Sequence, residues 1–235
     1  MTLSGRRAVV TGATRGIGAA IAQTLDEHGV RTFLVARNKA ALTAMTKKLE
    51  HAVTCAIDLT DAASAGTVAK QVEKQMGGVD ILINNAGAFA VASIEDTSDE
   101  TIDEMLQLNL AAPLRLMRAF IPAMRARSAG HIVTVGSVAD RAIFAGNSAY
   151  AATKYGARAM HEVARQELRG TGIRASLISP GPTDTPLWDA HNPDKTAGMT
   201  PRSKMLKAEQ VAEAVLWVLT RPAAVNVDEL RLSYA

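Results

Sequence analysis

The chain has 235 residues, of which 48% are hydrophobic and 21% charged, with a formal net charge of +3. That length fits one α/β domain from residue 1 to 235, and the apolar share supports a large core and excludes a disordered chain. The basic excess is scattered among 23 acidic residues, and its short clusters, Lys47-Lys48 and Arg125-Ala126-Arg127, fall near the ends of predicted helices, which argues against nucleic acid as a partner.

In chain order, Arg7-Ala8-Val9-Val10 reads as a strand. A glycine-rich turn, Thr11 to Gly18, follows, and then a helix in which Ile17, Ile21 and Leu25 recur at helical spacing up to Gly29. Arg31 to Ala36 is the second strand, and Asn38 is a plausible N-cap for a helix carrying Leu42, Met45 and Leu49. Further strands are expected at Ala52 to Ile57, Val79 to Ile83, His131 to Val135 and Ile173 to Ile178. Helices are expected at about Ala62 to Met76, Asp99 to Arg127 and Ala149 to Arg169. Ala208 to Leu219 reads as a last helix and Val225 to Leu232 as a last strand. Continuous apolar runs, rather than in/out alternation, suit parallel strands covered on both faces. The alternation predicts a doubly wound parallel sheet of the Rossmann type, about seven strands, with ligand outside the strand carboxyl ends.

Pro180 to Lys207 breaks the rhythm with five prolines and little periodicity, and a long irregular segment in a compact domain is usually functional. The single cysteine, Cys55, lies in an apolar run, so no internal disulfide forms. His28, His51, His131, His161 and His191 show no zinc spacing, and no metal is expected. The first apolar run begins by Ala8, so no signal peptide is expected, and none approaches the roughly 18 residues of a spanning helix. Cytoplasmic residence without membrane contact is the expectation.

Three segments carry chemistry. In Gly12-Ala13-Thr14-Arg15-Gly16-Ile17-Gly18, Gly12 permits a tight turn, Gly16 a close backbone approach to a dinucleotide, and Gly18 close helix–strand packing. Where an acidic residue would bind a ribose 2′-hydroxyl stand Ala36 and Arg37, and Arg37 and Arg15 can converge on a 2′-phosphate. Tyr150 and Lys154, at i and i+4, leave the same helix face; a phenol is a poor acid–base group at neutral pH, and a nearby ammonium favours its ionised form. Ser137, at the end of the fifth strand, can hydrogen-bond a substrate oxygen beside Tyr150 and stabilise a developing alkoxide. A nucleophilic serine would need a histidine base, and none lies nearby.

With these three segments the chain resembles the short-chain dehydrogenase/reductase family, in its compact single-domain form, over essentially its whole length. The resemblance implies NADP(H) as cofactor, since members with basic residues at the places of Arg15 and Arg37 use it. It implies that Asp58 and Leu59 line the adenine, and Asn85, Ala86 and Gly87 the wall beside the ribose. Asp58 could instead only cap a helix, and Asn84-Asn85-Ala86-Gly87 could be only a turn. Asn109 matches a fourth catalytic position whose main chain holds a water that links Lys154 to solvent; the alternative is a helix-surface asparagine. Pro180-Gly181-Pro182-Thr183-Asp184-Thr185 resembles the family's P-G-x-x-x-T, which implies that backbone near Thr183 binds the nicotinamide carboxamide and Thr185 the carboxamide or a phosphate. Residues at about 186–207, including Leu187, Trp188 and Met199, become a substrate lid. Phe89 and Phe144 are either apolar walls of the site or plain core.

The ending, Asn226 to Ala235, resembles reductases of small carbonyls and hydroxy acids more than β-ketoacyl reductases. The implied activity is reduction of a ketone or aldehyde to an alcohol, and the reverse, by a homodimer or homotetramer acting on a small molecule. The alternative is a nonenzymatic NADP-binding redox sensor that works through a protein partner.

Overall fold

The computed structural model describes residues 2–235. Strands and helices alternate as β1 (Arg7–Thr11), α1 (Gly16–Glu27), β2 (Arg31–Ala36), α2 (Lys39–Thr46), β3 (Ala52–Ala56), α3 (Ser64–Met76) and β4 (Ile81–Asn84). The second half runs α4 (Asp99–Met105), α5 (Ala112–Ala126), β5 (Gly130–Val135), α6 (Ser148–Glu167) and β6 (Ile173–Pro180). Short β7 (Thr183–Asp184) and β8 (Leu206–Lys207), α7 (Ala208–Leu219) and β9 (Glu229–Leu232) follow.

Seven strands form a parallel sheet, as the apolar runs predict, and their order is β3-β2-β1-β4-β5-β6-β9. Register explains the two-sided core. Val9 lies opposite Phe33 and Leu82, and these pack with Ile132 against Val68, Leu116 and Phe120 on one face. Val10, Leu34, Ile83 and Val133 pack against Ile21, Leu25, Leu42 and Val215 on the other. Each such buried side chain contributes roughly 1.5–3 kcal/mol through removal from water. Cys55 is buried in the first of these layers, which pushes its thiol pKa up.

Several boundaries differ from expectation for identifiable reasons. At Asp80 the carboxylate accepts from the Arg7 backbone and guanidinium (2.9, 3.0 and 2.8 Å), so the fourth strand begins at Ile81 rather than Val79. Asp61 accepts from the Ala63 amide and the Ser64 hydroxyl, which delays α3 to Ser64. Beside β6, the Asn226 side-chain amide bonds both Ala175 N and Ala175 O (3.0 Å each), in place of a ladder, so the last strand begins at Glu229. The long helix expected from Asp99 is continuous only through a π turn, Leu106–Ala111, between α4 and α5. The proline-rich segment is not wholly irregular, because β7 and β8 pair within it. Among the described residues no helix is long and apolar enough to cross a membrane.

Candidate active site

β1 has β2 on one side and β4 on the other, and this reversal of strand order opens a crevice at the strand carboxyl ends. There a cleft of about 410 Å³ is lined by Gly12, Thr14 to Gly18, Ala36, Arg37, Leu59, Asn85 to Ala88, Tyr150, Lys154 and Thr185. Gly12 has φ of +66°, and a Cβ there would stand 2.9 Å from Ala86 Cα. At Gly18 a Cβ would come within 2.3 Å of the Gly12 carbonyl oxygen, so only glycine lets α1 start this close to the turn. The first turn of α1 has no side-chain cap and no acidic residue, which leaves its N–H groups free for an anion.

Thr11 holds this arrangement together. Its hydroxyl donates to Ile83 O (3.1 Å) and accepts from the Asn85 and Ala86 amides (2.9 and 3.0 Å), while Asn85 Nδ2 donates to Thr11 O (2.9 Å). Asn85 thus lines the cleft and also ties the β1 turn to the β4 loop.

Arg15 and Arg37 both border the cleft. Arg37 donates to Glu104 Oε1 (3.2 Å) and lies 3.8 Å from Asp58 Oδ2. Asp58 itself is not on the cleft wall. It accepts from the amide and hydroxyl of Thr60 (2.9 and 2.8 Å), and these bonds hold its carboxyl below the usual range. Leu59, its neighbour, does reach the cleft.

A second cavity, about 240 Å³, adjoins the first. Tyr150, Ile17, Thr185 and Leu187 border both. Ser137, Pro180, Gly181 and Thr183 border the second cavity and not the cleft, as do Phe89, Phe144, Trp188 and Met199. Phe89 meets Tyr150 edge to face, with ring centroids 4.8 Å apart, and Trp188 at 5.0 Å. Lys154 is buried, donates to Val135 O (3.3 Å) and sits 5.6 Å from the Tyr150 ring centroid. Ser137 Oγ accepts from the Ala139 amide (3.1 Å) at the start of a 3₁₀ turn.

Asn109 lies in the π turn and is buried, not on the helix surface. Its side chain accepts from Ala88 N (2.8 Å) and donates to Ala88 O (2.9 Å) and Thr153 Oγ1 (3.0 Å), tying the β4 loop to α6. A water-sized cavity of about 10 Å³ is bordered by Asn109, Lys154, Thr134 and Asn84, and both polar atoms of the Asn84 side chain lack a protein partner.

Over the second cavity, Arg202 gathers the proline-rich segment. It donates to Asp184 (2.7 Å) and Asp189 (2.6 Å), and Lys207 also reaches Asp184 (2.8 Å). Val91, Asn147 and Thr200 also line the cavity, and no spacing signal marks them, because three loops distant in sequence bring them together. Thr11 was legible only as the residue ahead of the glycines. Among the described residues no group of three or more His, Cys, Asp or Glu side chains could hold a metal ion.

Comparison with known proteins agrees with this architecture. The short chain dehydrogenase family model matches residues 6–196. An uncharacterized oxidoreductase of Staphylococcus aureus (strain MW2) is 34% identical over 230 residues, covering 97% of this chain and 96% of that protein. A metagenomic short-chain oxidoreductase solved in complex with NADP superposes with a TM-score of 0.85 at 31% identity, each chain covered in full (100%). An alcohol dehydrogenase from the archaeon Thermococcus sibiricus, complexed with 5-hydroxy-NADP, gives 0.87 at 29% identity, with 98% and 97% of the two chains covered. The chain belongs to the short-chain dehydrogenase family of oxidoreductases.

Proposed function

We propose that the protein is an NADP(H)-dependent oxidoreductase that interconverts a ketone or aldehyde and its alcohol. The observation that carries this reading is the position of Tyr150, on the wall shared by the cleft and the second cavity, with Lys154 on one side and Ser137 on the other. A sensor without turnover would need no such convergence.

The cleft fits a dinucleotide. Its glycine turn leaves room for a pyrophosphate at the uncapped start of α1, and no carboxylate stands at Ala36 to repel a 2′-phosphate. Arg15 and Arg37 would hold that phosphate, Leu59 and Ala86 the adenosine, Lys154 the nicotinamide ribose, and Thr183 and Thr185 the carboxamide. NADPH, when bound, supplies a hydride.

Tyr150 donates its hydroxyl proton to the substrate oxygen. Ser137 hydrogen-bonds the same oxygen and stabilises the charge that develops there. Lys154, 5.6 Å from the Tyr150 ring centroid, places a positive charge beside the phenolate left behind. Tyr150 would regain its proton from Lys154, and Lys154 in turn from a single water for which the cavity that Asn109 and Lys154 border has room. The segment at 186–207 covers the substrate and excludes water. Leu106, Leu114, Tyr155 and Val163, exposed on the α4–α6 faces, would be buried by a second copy of the chain.

The test is oxidation of NADPH and of NADH by purified protein against ketones, aldehydes and keto acids, followed at 340 nm. Turnover with NADPH supports the reading; tight NADPH binding with no turnover across a broad panel overturns it in favour of the sensor.

A further inference from the structure

We propose that the second cavity selects neutral carbonyl compounds bearing a single ring or short apolar chain, and rejects substrates that carry a carboxylate. This rests on the reductase reading of the same site and narrows it. No Asp, Glu, Lys, Arg or His borders the cavity. Its polar groups are hydroxyls, backbone and the Asn147 amide, and its bulk is Phe89, Phe144, Trp188, Met199 and Val91.

The cations near by lie off the cavity wall and already have carboxylate partners in this closed arrangement. Arg202 is held by Asp184 and Asp189, Lys207 by Asp184, and Arg141 by Asp140 and Glu229. The His191 ring, also off the cavity wall, meets Phe89 edge to face with ring centroids 5.0 Å apart. A carboxylate entering the cavity would therefore exchange water for neutral hydroxyl and amide donors, with no opposite charge to offset its desolvation. An apolar group gains from the same walls. Phe89 presses its ring against both Tyr150, which carries the reacting hydroxyl, and Trp188, so the substituent next to the carbonyl lies in an aromatic corner. At about 240 Å³ the cavity is smaller than the pockets that hold drug-sized ligands, which limits that substituent to one ring or a short chain.

Methyl benzoylformate and benzoylformate test this, because they share a ring and a ketone and differ in charge. Binding is read without turnover, from Trp188 emission in the Trp217→Phe variant with NADP⁺ present; NADPH oxidation is read separately. The ester is expected to bind at least about 100-fold more tightly than the acid. Phe89→Ala should weaken the ester about 10-fold or more, and Ala145→Lys, on the exposed rim, should improve the acid about 10-fold. Acid binding as tight as ester, or no response of Trp188 to either, overturns the proposal. Ester binding without NADPH oxidation upholds the selectivity of the cavity and sinks the reductase reading instead.

Discussion

Ser179 Oγ donates to Asp140 Oδ2 over 2.5 Å, joining the strand end that leads into Pro180-Gly181 to the loop that presents Ser137. Asp140 is fully buried. Its other oxygen accepts from Arg141 Nε (2.9 Å), and Arg141 reaches Glu229 of β9 (2.6 Å), so the end of β6, the Ser137 loop and β9 share one charged network. Gly136 is confined by the same pair, since a Cβ there would stand 3.0 Å from both Asp140 Oδ2 and Ser179 Oγ.

Removing the carboxylate leaves Arg141 with only Glu229 and leaves Ser179 unpaired. Asp140→Ala is expected to cost about 3–5 kcal/mol of stability, and Ser179→Ala about 1–3 kcal/mol. Urea unfolding measures both. In the milder Ser179→Ala variant kcat should fall while NADPH affinity holds, because the network positions the Ser137 loop and not the glycine turn. An unchanged kcat would make the network structural only.

Tyr150→Phe removes one hydroxyl from a ring that Phe89 keeps in place. Turnover should drop by about 100- to 10,000-fold. NADPH affinity, measured by fluorescence titration, should stay within about threefold, since the phenyl ring and Lys154 remain. Lys154→Ala should damage both. Turnover by the phenylalanine variant close to that of the parent would remove Tyr150 from the acid–base role.

Arg37 is engaged by carboxylates when it should face a phosphate. Glu104 accepts from it at 3.2 Å and Asp58 stands at 3.8 Å, both exposed contacts of small strength. A 2′-phosphate offers a stronger, charge-assisted partner. Arg37→Asp should therefore lower NADPH affinity about 10- to 100-fold with little change for NADH. Glu104→Gln should raise NADPH affinity by releasing the guanidinium. Comparative titration of both cofactors reads the result, and NADH bound as tightly as NADPH by the parent chain would overturn the assignment.

The strands of the parallel sheet and the glycine turn were legible because each rests on local chemistry. The short apolar run Phe33 to Ala36, set between Gly29 and Asn38, reads as a covered strand, and Gly18 tolerates no side chain where the helix starts against Gly12. Tyr150 and Lys154 share α6 as their i, i+4 spacing predicts, but that spacing singled them out only in the company of Ser137 and the glycine turn. The walls of the second cavity were not, because Val91, Asn147 and Thr200 meet only through tertiary folding. Asn109 was readable only as a position inside an expected helix, and its role in pinning Ala88 to Thr153 was not, since that needs the π turn to aim its amide inward. Asp140 and Arg141 carry no signal in the sequence, because Ser179 of β6 and Glu229 of β9 reach them only in the fold.

Two histidines that the site does not use set an acid limit on stability. His131 Nε2 bonds Ser176 Oγ and His161 Nδ1 bonds Thr134 Oγ1 (2.9 Å each), and the remaining ring nitrogen of each lacks a partner. Burial first, with Arg174 for His131 and Arg165 for His161, lowers their pKa values to about 3 and about 4. Above roughly pH 6.5 both are neutral folded and unfolded, and stability does not depend on them. As pH falls below that, the unfolded chain takes up protons that the fold refuses, so stability drops by about 1.4 kcal/mol per pH unit for each histidine until its folded pKa is reached. Between about pH 6 and 5, where ordinary carboxylates stay ionised, urea unfolding should show a slope close to two protons. His161→Gln should reduce it to about one. A flat profile across that window would mean that the two rings are not buried neutral.

The proline-rich segment is held shut by contacts that are individually weak. Arg202 donates to Asp184, Asp189 and Thr185 O, Asp194 accepts from the Arg202 amide, and Trp188 Nε1 donates to Thr183 O (3.0 Å). The Asp189 and Asp194 side chains are half exposed or more, so water competes for these pairs and the segment can open at little cost. Its closed form also places Trp188 beside Phe89, on the wall where substrate would sit. Arg202→Ala is expected to speed proteolytic nicking within residues 189–200 several-fold and to raise KM more than kcat, without a detectable change in global unfolding. In the parent chain, nicking should slow and Trp188 emission, read in Trp217→Phe, should shift once NADPH and a neutral ketone are both present. Were cleavage rates and emission the same in every state, and the same in Arg202→Ala, the segment would be a fixed wall, and access to Tyr150 would have to be set by the width of the preformed cavity between Phe89 and Met199.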